Sequence, residues 1–174
     1  QARDPAQAPQ VYAGIARSPG LKDDIRAQSL FRNPAFLVLN QADGSLYVRD
    51  EPNHVIRRVG AGSSGRVDVI AGTGQPGRSD GAALSASFTR PEGIALDGRG
   101  YLWIADSGNH TIRRMNRATR QVETIAGQAG VSGAADGRGS QARFNLPSGI
   151  AVEVEAVGEQ DVRQGRGLPP SQVG

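Results

Sequence analysis

PEGIALDGRGYLWIADSGNHTIRRM, residues 91–115, is the stretch of sequence that decides the fold. It contains three short segments with the pattern of strands, 93–97, 101–105 and 110–115, separated by two glycine-containing turns. Glycine favours tight turns because it reaches positive φ at no steric cost. The middle segment is rich in aromatic and β-branched residues, which are typical of strands. The stretch therefore predicts a small antiparallel meander of three strands.

The meander occurs twice in the chain, and a fourth apolar segment follows each copy. The equivalent segments are 34–40 with 91–97, 46–50 with 102–106, 53–58 with 109–114, and 67–72 with 122–127. The prolines that open successive copies, at 34, 91 and 147, give a period of 57 and then 56 residues. We therefore predict almost no helix and strands near 35–40, 46–50, 54–59, 67–71, 93–97, 101–105, 110–115 and 122–126.

The recurring frame is P-x-G-I-A-x-D, then L-W-I-A-D-x-x-N-H-x-I-R-R, then T-I-A-G, and it resembles the NHL repeat. The resemblance covers residues 11–153. It implies an all-β fold, a partial β-propeller of the six-bladed TolB-like superfamily with four-stranded antiparallel blades. Four strands per unit at regular spacing independently indicate radial repetition. The chain would hold two complete blades plus parts of two more, so we expect a fragment of a longer protein or a chain that self-associates.

The domain limits follow from where the repeat begins and stops matching. Residues 1–10 are predicted to be a flexible lead-in, 11–153 the blades, and 154–174 a divergent, disordered tail. Segment 11–14 is predicted to be the outermost strand of an incomplete blade, and Val152, Val154 and Val157 to finish one strand. The A-x-F endings 86–88 and 142–144 are predicted to form one helical turn, which buries Phe88.

Composition limits the classes of function. The net charge is +3 from 20 basic and 17 acidic residues, and there is no cysteine, which excludes a disulfide framework or a zinc–thiolate site. No apolar run reaches the ~20 residues of a membrane-spanning helix. Neither cysteine nor a signal peptide is visible, so cytoplasmic and secreted locations both fit. Nucleic acid is disfavoured as a partner because loops 73–90 and 128–146 mix basic and acidic residues, namely Arg78, Arg90, Arg138 and Arg143 with Asp80 and Asp136.

The order of strands predicts which face carries function. In a blade of antiparallel strands a to d, the b–c turns and the long d–a connections emerge on one face, and repeat proteins place their variation on the binding face. The candidate binding residues on this face are Arg78, Asp80, Arg90, Glu92, Ser107, Asn109, Arg138 and Ser148.

Other polar residues recur once per blade and are predicted to be structural. They are Asp50, Asn53, His54, Asp106 and His110. A carboxylate at such a turn accepts backbone N–H bonds. The adjacent arginines of each pair, 57–58 and 113–114, should point to opposite faces of the strand and pair with carboxylates between blades rather than form a phosphate track.

These patterns predict a non-catalytic module that binds a protein, a peptide or a glycan, with no catalytic, cofactor or metal residue assigned. The alternative is a piece of a propeller hydrolase or lyase. NHL propellers are similar in fold to gluconolactonase-like esterases and peptidyl-amide lyases, which implies a channel metal near Glu92. The equivalent positions in the other copies are Ala35 and Ser148, and one carboxylate does not supply the six to eight oxygens that calcium takes.

Overall fold

The computed structural model describes residues 10–62 and 65–153, so the predicted tail 154–174 and nearly all of the predicted lead-in 1–10 lie outside the described residues. Eight strands of five to seven residues confirm the predicted positions to within two residues. They are β2 (Pro34–Leu39), β3 (Leu46–Asp50), β4 (Val55–Val59), β5 (Arg66–Ala71), β7 (Pro91–Leu96), β8 (Tyr101–Asp106), β9 (Thr111–Asn116) and β10 (Gln121–Gly127). Two two-residue strands, β1 (Asp24–Ile25) and β6 (Gly81–Ala82), were not predicted.

The described residues contain no α-helix. Helical structure there consists of single 3-10 turns at Arg26–Gln28, Glu51–Asn53, Ser107–Asn109 and Gly139–Gln141. The all-β prediction is therefore confirmed. Within these residues, no helix is long and apolar enough to span a membrane.

The strands form two antiparallel sheets with the same topology. Their orders are β1-β5-β4-β3-β2, called blade 1 below, and β6-β10-β9-β8-β7, called blade 2. Strands a to d of each blade follow one another along the chain, and the short strands β1 and β6 add to the outer edge of strand d. They come from the d–a connections, so each connection is tied to the blade that follows it.

Two predicted strands at the ends are wrong. Residues 11–14 form a bend rather than a strand, and Gly14 N–H donates to the Arg26 carbonyl at 2.7 Å. Val152 is not in a strand either, while Val154 and Val157 lie outside the described residues. A strand needs a neighbour for its backbone hydrogen bonds, and both segments lack the other strands of their own blade within the described chain.

The main core lies between the two blades. Its buried members are Tyr47, Ile56, Ile70 and Ala71 from blade 1, Ile94, Leu102, Ile104, Met115 and Val122 from blade 2, and Ala83, Ala86 and Phe88 from the connection. Each large side chain that leaves water contributes ~1.5–3 kcal/mol. The face of blade 2 that meets blade 1 is thus apolar along four strands.

The equivalent face of blade 1 is open. Its Val48, Val59 and Val67 are covered only by smaller contacts from Ala13, Phe31 and Leu46. Leu37 on the same face is 62% exposed, and a cleft of about 270 Å³ runs beside it. Blade 1 therefore presents an apolar surface that matches the one buried by blade 2.

Residues 86 and 87 are not helical and Phe88 forms an isolated β-bridge with Pro76, so the predicted helical turn is wrong at residues 86–88, and a turn closed by Ala86 N–H and the Ala82 carbonyl at 2.8 Å precedes them. In the next copy a 3-10 turn, Gly139–Gln141, ends just before Ala142. Phe88 is fully buried, as predicted.

The structure also explains why glycine closes each I-A-G segment, because a Cβ on Gly127 (φ 90°) would lie 2.5 Å from the His110 carbonyl oxygen.

Candidate functional site

The b–c turns and the d–a connections lie against one another on one face of the blades. The 3-10 turn Ser107–Asn109 contacts the connection that precedes blade 2: Gly108 N–H donates to the Thr89 carbonyl at 2.8 Å, and Asn109 Nδ2 donates to the Gly77 carbonyl at 2.6 Å. In blade 1, Asn53 Nδ2 donates in the same way to the Gly20 carbonyl at 3.1 Å. We call this side of the molecule the loop face.

Asp106 lies fully buried under its turn. Its Oδ1 accepts Thr89 N–H at 2.8 Å, and its Oδ2 accepts Asn109 Nδ2 at 2.7 Å and Arg113 Nη1 at 3.1 Å. Burial raises the pKa of the Asp106 carboxyl above its ordinary value, although these hydrogen bonds oppose the shift. Both oxygens of this carboxylate are therefore occupied by groups of the protein itself.

Blade 1 repeats this arrangement at Asp50. Arg32 N–H donates to Oδ1 at 3.0 Å, Asn53 Nδ2 donates to Oδ2 at 2.8 Å, and Arg57 Nη1 lies 3.5 Å from Oδ2. Asp50 is also fully buried. The two turns thus share one set of bonds, with a longer ion pair in blade 1.

A buried arginine connects each turn to the preceding connection. Arg113, with a side chain 1% exposed, pairs with Asp80 at 2.6 Å as well as with Asp106. Its guanidinium stacks on Phe88 at 4.7 Å from the ring centroid. Asp80 also accepts the backbone N–H of Thr124 at 2.9 Å. The predicted binding residue Asp80 is therefore engaged in holding β10 and Arg113.

The two arginines of each pair point to opposite faces, as predicted, but they pair within their own blade and its preceding connection, so the predicted pairing between blades is wrong. Arg114 binds Glu123 at 2.6 Å, whereas its neighbour Arg113 is buried. In blade 1, Arg58 binds Asp43 at 3.0 Å, whereas Arg57 is buried and binds Asp23.

Each histidine links its own turn to the following copy. His54 and His110 both adopt the left-handed conformation, with φ of 54° and 59°. His54 Nδ1 accepts Arg90 N–H at 3.2 Å, and His110 Nδ1 accepts Leu146 N–H at 3.1 Å. In both cases the donor is the backbone N–H of the residue just before the proline that opens the next copy. The two imidazoles therefore bind the backbones of different copies.

The eight predicted binding residues do not form one cluster. Ser107 and Asn109 are buried within their turn, and Asp80 is paired with Arg113. Three are exposed on loops: Arg78, which donates weakly to Ala129 O at 3.4 Å, Arg138 and Ser148. The remaining two, Arg90 and Glu92, lie together where β7 begins.

The structure brings further residues to Arg90 and Glu92 that the sequence reasoning missed. We call the group Phe36, Arg49, Glu51, Arg90 and Glu92 the junction cluster, since it lies between β2 and β3 of blade 1 and the start of β7. Glu51 Oε2 binds Arg49 Nη1 at 2.9 Å, and Glu51 Oε1 binds Arg90 Nε at 3.1 Å. Arg90 Nη2 lies 3.8 Å from Glu92 Oε1, and Arg49 lies over the Phe36 ring at 5.6 Å.

The electrostatics of the junction cluster are balanced. Burial tends to raise the pKa of Glu51, but the hydrogen bonds from Arg90 and Arg49 outweigh it, so this pKa lies below its ordinary value. One signal in the sequence could have found the cluster. At each of its positions the other repeat has a small or apolar residue.

The cluster does not have the composition of a metal site, because the acids are neutralised by arginines. Among residues 10–62 and 65–153, no group of three or more His, Asp or Glu side chains lies close enough to hold a metal ion. The residues around Glu92 therefore do not fit a channel metal.

Four-stranded blades packed face to face around strand a define a partial β-propeller. Solved structures support this fold. A structural genomics protein of unknown function from Bacteroides thetaiotaomicron aligns with a TM-score of 0.64 and 27% identity, over 70% of this chain and 30% of that chain. An auxiliary nutrient binding protein from Bacteroides ovatus aligns with a TM-score of 0.57 and 25% identity, over 66% of this chain and 31% of that one.

Sequence comparisons find similarity to the NHL repeat. The family model for the NHL repeat matches residues 88–115. NHL repeat-containing protein 2 of Gallus gallus is 28% identical over 151 residues, which cover 82% of this chain and 21% of the relative. Protein SUPPRESSOR OF QUENCHING 1, chloroplastic, of Arabidopsis thaliana is 36% identical over 94 residues, covering 54% of this chain and 9% of that protein. Residues 88–115 thus match the NHL repeat, and the chain is similar to these proteins while spanning about a fifth or less of the length of these curated relatives.

Proposed function

We propose that this chain is part of a non-catalytic NHL β-propeller module that binds a protein, a peptide or a glycan through its loop face. The observation that carries the proposal is which polar side chains already have hydrogen-bond partners within the fold. The carboxylates and imidazoles that recur in both blades already bind groups of the fold, as Asp106 and His110 show. Exposed charged residues on the loop face, such as Arg78 and Arg138, do not take part in these bonds that recur in both blades.

The absence of a free acid–base pair at the turns supports binding rather than catalysis. A general base must reach the proton that it removes with an available lone pair. Both Asp106 oxygens are already acceptors of short hydrogen bonds, and His110 Nδ1 accepts a backbone N–H. One solved neighbour is described as an auxiliary nutrient binding protein, which is consistent with a binding role for this fold.

The test is a binding screen of the purified chain against a random-peptide display library and a glycan array. We expect selective binding from one of these classes, weakened by Arg78→Ala together with Arg138→Ala. The matched control is Arg66→Ala, an exposed charge on β5 whose side chain is 61% exposed, beside the turn at the opposite end of the strands. Equal loss in the control, or no selective binding by the unaltered chain, would contradict the proposal.

The enzyme alternative has its own test, because a channel metal near Glu92 would require tight ion binding. Its neighbour Arg90 repels a cation, and Glu92 is the only carboxylate that begins a strand a in the described residues. We expect calorimetry with Ca²⁺ and Zn²⁺ to show no micromolar affinity. A stoichiometric site that Glu92→Ser abolishes would support the hydrolase or lyase.

A further inference from the structure

The two copies of the repeat share their structural bonds but differ at the junction cluster. Where one copy has the cluster, the equivalent residues of the next are small or apolar. In the same order as Phe36, Arg49, Glu51, Arg90 and Glu92, they are Gly93, Ala105, Ser107, Leu146 and Ser148. Blade 2 forms the same sheet and the same buried Asp–Asn–Arg bonds although Ala105 and Ser107 stand where blade 1 has Arg49 and Glu51. The sheet and its turn therefore form without the charges of Arg49 and Glu51.

Phe36 is held in a conformation that disfavours it. Its φ is 46°, in the left-handed region where a bulky residue is rare, and it occupies the irregularity in pairing between Ala35 and Leu37. The side chain is 56% exposed. Backbone strain of this kind occurs at ligand-binding sites, where the interactions of the bound ligand compensate for the free energy of the strain. Phe36 thus places an accessible aromatic ring beside Arg49 and the loop face.

Arg49 forms the floor of the cluster. Its side chain is only 9% exposed, and its Nη1 binds Glu51 and approaches the Pro91 carbonyl at 3.4 Å. Its Nε is buried and has no hydrogen-bond partner within the described structure.

The accessible groups are those at the rim. Arg90 is 57% exposed and shares only its Nε with Glu51 at short distance, so its terminal nitrogens remain available as donors. Glu92 is 24% exposed and lies 3.8 Å from Arg90, too far for a hydrogen bond, so its oxygens remain available as acceptors. The rim therefore offers donors, acceptors and an aromatic ring within one short stretch of surface.

From this geometry we infer that the junction cluster is a subsite for a neutral carbohydrate. Two arginines and two glutamates balance, which gives no net attraction for an anionic or a cationic ligand. A pyranose ring presents apolar C–H groups that pack on Phe36 and hydroxyls that bond both Arg90 and Glu92. The inference rests on the proposed binding function and selects the glycan from its three ligand classes.

The repeat itself supplies the variants for the test. Phe36→Gly, Arg90→Leu and Glu92→Ser each introduce the residue that the next copy carries at the equivalent position, so the backbone already accommodates them. Arg66→Ala is the control outside the cluster, since its side chain is 61% exposed at the opposite end of the strands. The probes are neutral hexasaccharides of glucose, mannose and xylose and, as an anionic control, a hexamer of galacturonate, titrated by calorimetry against each chain. Thermal unfolding confirms that every variant is folded.

We expect one neutral hexasaccharide to bind, and each cluster variant to weaken it about tenfold, which corresponds to ~1.4 kcal/mol. Arg66→Ala should leave that affinity within about twofold. Neutral-glycan binding that the cluster variants leave unchanged would overturn the inference, as would tighter binding of galacturonate. Selective binding of peptides alone would overturn it while leaving the proposed function in place. If the chain binds neither peptides nor glycans, both are wrong.

Discussion

Asp106→Ala tests whether the buried carboxylate serves the fold. The substitution removes the acceptor of Thr89 N–H, of Asn109 Nδ2 and of Arg113 Nη1. A buried donor left without a partner costs ~1–3 kcal/mol. Breaking a buried ion pair costs ~3–5 kcal/mol where the remaining charge has no other partner.

Because Arg113 keeps other partners, the expected loss in the free energy of unfolding lies between these two ranges. Arg113 keeps Asp80 at 2.6 Å and the carbonyls of Ser79 and Ser87. Asn109 likewise keeps the Gly77 carbonyl. We therefore expect a loss of about 3 kcal/mol in the free energy of unfolding. For a chain of this size, such a loss lowers Tm by roughly 6–12 °C.

Urea unfolding followed by circular dichroism measures the loss. Asp68→Ala is the matched control, because its side chain is 46% exposed and pairs only loosely with Arg66 at 3.5 Å. It should change stability by less than ~0.5 kcal/mol. Asp50→Ala should lower the free energy of unfolding by less than Asp106→Ala, since the ion pair of Asp50 with Arg57 is longer than that of Asp106 with Arg113. A loss below about 1 kcal/mol for Asp106→Ala would refute the structural role of this residue.

Three further predictions concern other parts of the chain. Gly127→Ala should cost ~2–4 kcal/mol in thermal unfolding because its Cβ meets the His110 carbonyl, whereas Gly100→Ala, with open space around it, should cost about 1. Hydrogen bonds from the Ser45 hydroxyl and backbone lower the pKa of Asp43 to about 2, so stability should fall as pH drops from about 4 towards 2. Asp43→Asn should reduce that fall, and an unchanged pH profile would contradict it. The chain should self-associate at micromolar concentration in light scattering, and Leu37→Asp on the open face should restore a monomer while exposed Leu84→Asp does not; a monomeric unaltered chain would count against this.

The strands and their order follow from the sequence alone. Turn glycines, alternating apolar residues and the 57- and 56-residue periods act locally, so residues 91–115 contain the information for their own meander. The repeat then shows which segments are equivalent, and it places Asp50 and Asp106 at equivalent turns of the two copies. The end segments were misassigned because a strand depends on a neighbour that local sequence does not reveal.

Contacts between distant residues were decided only by the tertiary structure. Asp80 had the sequence of an exposed loop residue, yet it binds Arg113, which is 33 residues away and buried. The junction cluster joins Phe36 and Arg49 to Arg90 and Glu92 because blade 2 packs against blade 1, and no local pattern encodes that approach. Local physics therefore determines each blade, whereas the packing of one blade on the next determines which charges are buried in the fold and which remain available to a ligand.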